Sequence, residues 1–340
     1  MNGYQRISAV FAGERPDRVP VILHNFMMAA REAGHVFSQW RQDPEKIAGS
    51  FIRAVETYGF DGVMFDLDTA TLAGALGVRV EQPEDDPALS HRACLQDLAE
   101  VDELEPVDVG ADSRVQVWLE AVRLLVAHFG DEVLVRGNCD QAAFSLASMM
   151  RGSAEWMMDL TDPDNHERAR TLLDHCGEAH LQFVRLMGDT GAHMASCGDS
   201  PAGPSLVSPR MYRDFALPWE RRIVEEAHRL GLPSVIHICG RTEPILDDML
   251  ETGADGFDLD YQTDARVAHD KLKNSAVFVG NLDPSEVLGR GTPALVEQKC
   301  LELIEIFADT PRFVLNAGCA IPADTPPENV RAMIRATRRA

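Results

Sequence analysis

Eight short β-rich runs, each followed by a stretch of helix length, limit this chain more than any other feature. They are VPVIL (19–23), GVMF (62–65), VLVRG (133–137), AHMAS (192–196), SVIHI (234–238), GFDL (256–259), AVFVG (276–280) and FVLN (313–316). This alternation belongs to a parallel sheet, because parallel neighbours need a crossover that returns the chain to the same end, and a helix supplies it. Eight such units in 340 residues predict a closed (β/α)8 barrel, a TIM barrel, rather than an open doubly wound sheet. No Pro/Gly/Ser linker, internal repeat or low-complexity tract divides the chain, so residues 1–340 read as a single domain.

One interval breaks the rhythm. Between Asp68 and Val133 the chain is longer than one crossover needs, and at about 80–110 it runs through the acidic, irregular stretch EQPEDDPALSHRACLQDLAEVDELEP. Such an excursion can build a lid, a partner surface or a solvated loop. A helix is predicted after it, at roughly 113–129. Another is expected from Met211 to Gly231, capped by Ser208 ahead of Pro209 and kinked at Pro218, where a backbone hydrogen bond is lost.

Charge and cysteine usage narrow the function classes. A formal net charge of −22 argues against nucleic acid or an anionic membrane as partner, since neither would find phosphate-neutralising residues here. The opening MNGYQRISAVFAGERPDRVP lacks the apolar core of a secretory signal, and no run is long enough to span a membrane, so a cytoplasmic location is expected. Seven cysteines, odd in number and scattered, favour free thiols, metal ligation or catalysis over a disulfide framework.

In a (β/α)8 barrel the loops after the strands form the functional face. The residues at those ends are polar throughout: His24 and Asn25, Asp66 and Asp68, Asn138 to Asp140, Cys197 and Asp199, His237 and Cys239, Asp258 and Asp260, Asn281 and Asp283, Asn316 and Cys319. Each alone is as well explained by helix caps and turns; the coincidence across all eight ends points to a site.

His237 and Cys239 stand at i and i+2 at the end of one run, so both can face one ion, and Cys319 adds a second sulfur from the end of the last run. Two thiolates and an imidazole suit Zn2+, with a fourth position to fill. Asp260, 21 residues after Cys239 and at the end of the next run, is the first candidate for it; Cys197, Cys139 and Asp199 compete. With two thiolates, zinc is a poor generator of hydroxide and a good holder of a third thiolate, which points to alkyl transfer onto sulfur.

Over nearly its whole length the sequence resembles the uroporphyrinogen decarboxylase superfamily, and within it the zinc-dependent corrinoid:thiol methyltransferases. The segments that carry the resemblance are RISAVFAGERPDRVPV, YGFDGVMFDLDTATLAGALGVRV, GNCDQAAFSLASMMRG, GDSPAGPSLVSPRMYRDFALPW, VIHICGRTEPILDDMLETGADGFDLD, VGNLDP and LNAGCAIPADTPPENV. In that branch the His-x-Cys with a distant Cys is the zinc site that binds the thiol, which the resemblance carries to His237, Cys239 and Cys319. The more distantly similar cobalamin-independent methionine synthases place a glutamate near the position of Asp260, one residue later. Asp68 matches an aspartate of the decarboxylases proper, whose arginine motif is reduced here to Arg31 in HNFMMAAREAG.

The resemblance thus implies methyl transfer between a corrinoid and a thiol such as coenzyme M or homocysteine. The corrinoid would be supplied by a partner protein, because no Asp-x-His-x-x-Gly segment accompanies the barrel. Asp68, Asp199 and Tyr212 are the catalytic candidates, and Asn25, Asn138, Asp140 and Asn281 the cofactor-binding ones. Alternatives are a corrinoid-dependent demethylase, a tetrahydrofolate methyltransferase component, or a decarboxylase-like lyase using Asp68. A homodimer is left open.

Overall fold

Each of the eight β-rich runs contributes a strand to one parallel sheet. The computed structural model describes residues 1–339. Its strands are β1 (Ile22–Leu23), β2 (Gly62–Met64), β3 (Arg79–Glu81), β4 (Leu89–Arg92), β5 (Leu134–Gln141), β6 (Met194–Gly198), β7 (Ser234–Ile238), β8 (Gly256–Leu259), β9 (Val277–Leu282) and β10 (Phe313–Ala317). The order β1-β2-β5-β6-β7-β8-β9-β10 is parallel throughout, and a parallel bridge from Val21 to Leu315 brings the last strand back to the first. The result is the (β/α)8 barrel expected from the sequence.

Alternation along a strand sorts its residues between two layers. In β7, Val235 packs into a cluster with Ile7, Leu134 and Met194 at the barrel floor, while Ile236 and Ile238 join the large core between sheet and helices. His237 shares the register level of Gly198 on one side and Asp258 on the other. It therefore projects with Asp258 into the barrel lumen.

A helix at Gly3–Phe11 closes the bottom. Asn2 caps it in a reciprocal capping box with Gln5, and its Ile7 and Val10 are buried against the floor. Asp61, nearly fully buried, accepts Arg6 at 2.9 Å, Arg18 at 2.8 Å and the Val21 amide at 2.8 Å, which ties this helix to the first strands. With the floor sealed, any ligand must enter from the carboxyl ends of the strands.

The acidic excursion has structure of its own. β3 and β4 form an antiparallel hairpin, and 3-10 turns follow at Leu98–Glu103 and Val109–Ala111. The helix expected at 113–129 spans Ser113–Phe129, capped by Asp112. Its Trp118 donates to the carbonyl of Asn138 at 3.0 Å, which pins the end of β5. Around Pro218 the expected kink takes another form. A π-helical turn, Tyr212–Ala216, precedes the α-helix Leu217–Arg229, and Pro218 lies in that helix's first turn, where no amide donor is missed.

Candidate metal centre and adjoining chamber

The ends of β7 and β10 converge on one point. His237 Nδ1 donates to the backbone carbonyl of Asp258 at 2.8 Å, which leaves Nε2 as the lone-pair atom, 3.1 Å from Cys239 Sγ. Cys319 completes a group whose ligand atoms all lie within 4.8 Å of one another, each residue half-buried. Among the described residues this is the group of three or more potential ligands that could hold an ion.

Two local features hold the group in place. Gly240 follows Cys239 with φ +84°, a left-handed turn that disfavours side chains, and the Cys239 amide donates to Ser200 Oγ at 3.3 Å. Gly318 precedes Cys319 where a side chain would collide with the backbone of Asp260 and Tyr261, so the β10 loop lies directly against the loop after β8. Asn281 braces that same loop by donating to the carbonyls of Asp260 and Thr263 at 3.0 and 2.9 Å.

The three side chains are electrostatically coupled. A hydrogen bond from Cys319 and the adjacent His237 outweigh burial and hold the Cys239 thiol down to about 3. Burial opposes protonation of His237, but the Cys239 thiolate and the neighbouring Asp258 raise it to about 10. Its hydrogen bond to Cys239 pushes the Cys319 thiol up. Loss of protons from His237 and Cys319 on binding a cation would leave the imidazole Nε2 and two thiolates as donors. This donor set, with its oriented imidazole, fits zinc.

Asp260 is not part of the group, contrary to the expectation for the fourth ligand. Its Oδ1 accepts the amide of Gln262 at 2.8 Å, capping its own turn. Cys139 and Cys197 are buried, with their thiols pushed up by burial, and are likewise not members.

The centre opens on two cavities. An inner chamber of about 460 Å3 is lined by His237, Cys239 and Cys319 together, with Asp66, Asp68, Arg136 and Asn138 and a group of apolar side chains; Pro87, Ala88 and Leu89 of the hairpin roof it. A more open trough of about 720 Å3 lies outside, shares Ser200, Pro201 and Cys239 with the chamber, and includes Arg241 and Gln262. Only Cys239 of the three faces both.

The other sequence candidates divide between chamber and surroundings. Asp68 and Asn138 line the chamber. Asp68 is committed to the amides of Ala70 and Thr71, both at 2.8 Å, and to the Thr71 hydroxyl at 3.1 Å, with burial raising its pKa. Asn138 accepts the Asp140 amide at 3.1 Å. Asn25, Asp140, Asp199, Tyr212 and Asn281 are buried but are not among the lining residues. Asp140, in a left-handed conformation at φ +61°, accepts the Leu72 amide at 2.7 Å. Asp199 accepts the amide and hydroxyl of Ser145 at 2.8 and 2.6 Å, and Tyr212 donates to Glu220; both serve a buried acid cluster behind the chamber wall.

Arg136 escaped the sequence reading, as did the pairing of two strand-end residues that it named, His24 and Asp66. Arg136 donates to Asp258 at 2.8 Å, both nearly inaccessible, at the base of the chamber. His24 Nε2 lies 2.7 Å from Asp66 on the chamber wall. Arg136 sits inside an apolar run, VLVRG, where its inward direction was the available signal.

Comparisons with known proteins agree with this architecture. The uroporphyrinogen decarboxylase (URO-D) family profile matches residues 3–340. A methylcobamide:CoM methyltransferase of Methanosarcina acetivorans is 26% identical over 339 residues, covering 98% of this chain and 97% of that protein. A uroporphyrinogen decarboxylase of Syntrophotalea carbinolica is 26% identical over 355 residues, covering 99% and 97%. A solved methyltransferase from Methanosarcina mazei shares the fold with a TM-score of 0.91 at 23% identity, over 100% of this chain and 99% of that one. The barrel, its sealed floor and the match across almost every residue lead to one assignment: the chain belongs to the uroporphyrinogen decarboxylase (URO-D) family.

Proposed function

We propose that this chain is a methyltransferase that moves a methyl group between a corrinoid and a thiol, with zinc on His237, Cys239 and Cys319. The observation that carries the reading is the meeting of two thiols and an oriented imidazole at a point bordered by two cavities. Zinc bound there would lower the pKa of an incoming thiol, so that a thiolate nucleophile exists near neutral pH. Cys239 and Cys319 supply the charge that holds the cation, and Asp258 fixes the His237 ring. In the transfer, the sulfur–carbon bond forms as the carbon–cobalt bond breaks, and the electron pair stays on cobalt.

The chamber, closed below and roofed above, accommodates the smaller reactant. A corrin macrocycle with its side chains exceeds 460 Å3 and must approach from the open trough, as free cofactor or on a partner protein. The names of curated relatives support a corrinoid donor. A lyase built on Asp68 has less support. That carboxylate already accepts three hydrogen bonds, the chamber's arginine is paired with Asp258, and Arg31 is exposed on the helix Phe26–Glu32.

The test is direct. Zinc-loaded protein mixed with methylcobalamin and a small thiol should bleach the methyl–cobalt absorption and yield the methyl thioether by mass spectrometry. Cys239→Ser and Cys319→Ser should each slow this by about a hundredfold or more. Equal turnover by wild type and both variants would sink the proposal.

A further inference from the structure

We infer that the reactant bound in the inner chamber is an uncharged thiol with an apolar substituent, rather than an anionic thiol carrying a sulfonate or carboxylate. This deepens the proposed function and rests on it, since it concerns the group attached to the sulfur beside His237, Cys239 and Cys319.

The argument begins with charge. Of the residues lining the chamber, His24, Arg136 and His237 can be cationic. Each is already engaged. His24 pairs with Asp66 at 2.7 Å, Arg136 with Asp258 at 2.8 Å, and His237 with Cys239 at 3.1 Å. Against them stand the carboxylates of Asp66 and Asp68 on the same wall. An anionic tail would therefore enter a cavity with no free counter-charge among the described residues, and would give up its hydration to do so. Arg136 offers no remedy: at the chamber base it stays beside Asp258, and an anion reaching it would meet that carboxylate too.

The remaining walls are apolar. Phe26, Met27, Met64, Met149 and Leu89 surround the space, and Met side chains adapt to irregular apolar shapes. Gln141 adds a neutral amide to the wall, enough to orient a hydroxyl or carbonyl without asking for charge. The volume of about 460 Å3 exceeds what a two-carbon thiol fills, so a substituent of several carbons has room. Arg241 does provide a cation, paired with Glu243 at 3.7 Å, but it lies in the outer trough, where of the three ligands only Cys239 is exposed. The curated relatives are named for coenzyme M, whose tail is a sulfonate; the inference gives this chain a different thiol.

The experiment uses the full chain with Co2+ in place of zinc, because sulfur-to-cobalt charge-transfer absorption reports thiolate binding without turnover. Titrations with 2-mercaptoethanesulfonate, 2-mercaptoethanol and 1-butanethiol, compared at equal thiolate concentration, should give affinities in ascending order. The butanethiol should bind about tenfold or more tighter than the sulfonate. Met27→Lys, on a half-buried position of the chamber wall, should narrow or reverse that ratio by supplying a free cation. Sulfonate binding as tight as butanethiol binding in the wild type would overturn the inference while leaving the thiol site intact. If no thiol perturbs the spectrum, or if Co2+ does not bind, the proposed function itself fails and takes the inference with it.

Discussion

His237 is oriented by the backbone carbonyl of Asp258, 2.8 Å from its Nδ1, while the Asp258 carboxylate stands farther off at 4.0 Å. Because β7 and β8 are in register at this pair, the hydrogen bond is set by the sheet itself. Side-chain substitution of Asp258 leaves the acceptor in place, and Nε2 stays directed at Cys239. The ring is thus pre-set as a ligand before any ion arrives, which lowers the ordering entropy lost on binding.

The first prediction concerns metal content. Wild-type protein purified from zinc-supplemented medium should hold about one zinc per chain by plasma mass spectrometry. Cys239→Ser and Cys319→Ser should lose it while keeping a native circular dichroism spectrum. Asp260→Asn should retain it, because that carboxylate caps the turn at Gln262 instead of joining the three ligands. Loss of zinc on Asp260→Asn would restore aspartate as a ligand.

A second prediction tests how Cys319 is placed. A methyl group on Gly318 would press against the backbone of Asp260 and Tyr261, which cannot rotate out of the way. Gly318→Ala should therefore push the β10 loop outward, weakening zinc binding by at least about tenfold and destabilising the fold by about 1–3 kcal/mol. Competition with a chromophoric chelator measures the first effect and urea unfolding of the metal-free protein the second. Unchanged chelator competition would show that the loop is more pliant than its packing implies.

The Arg136–Asp258 pair carries a third. With both side chains almost inaccessible, removing one partner strands the other charge at the chamber base. Asp258→Leu or Arg136→Met should each cost about 3–5 kcal/mol, whereas the two combined should recover most of that loss. A denaturation cycle over the four proteins would check it; additive losses in the double variant would contradict the pairing.

How much of this was legible in the sequence depends on what each feature needs. The eight strands were readable because each is a local apolar run, and SVIHI and GFDL coincide with β7 and β8 to the residue. His237, Cys239 and Cys319 were readable because metal ligands are chemically distinctive and fall at strand ends. Asp260 was harder to place, because its distance along the chain says nothing about which way the carboxylate turns; here it accepts the Gln262 amide and lies outside the three-residue group. Tyr212 and Asp199 are beside the barrel mouth in sequence but join Glu220 and Ser145 behind its wall. The roof stayed undecided between lid, partner surface and solvated loop for another reason: Pro87, Ala88 and Leu89 reach the chamber where β3 and β4 pair across an otherwise irregular acidic stretch.

That buried acid cluster yields a prediction about pH. Tyr212 donates to one oxygen of Glu220; the other is buried without a donor and faces Asp199. Two buried carboxyl groups so placed disfavour ionising together. Burial lifts Asp199 from 3.8 to about 6 and raises Glu220 well above its usual range. Because both folded values lie above the unfolded ones, the native state binds more protons than the unfolded chain as pH rises past 3.8, and stability falls over that interval and beyond about 6. Glu220→Gln keeps an acceptor for Tyr212 and gives Asp199 an amide donor that never ionises. Thermal unfolding of this variant should be less sensitive to pH between about 4 and 8, with the gain over wild type largest at the alkaline end. Glu220→Ala, which leaves Tyr212 and Asp199 unpartnered, should lose stability at every pH. Parallel melting curves for wild type and Glu220→Gln across this range would contradict this coupling.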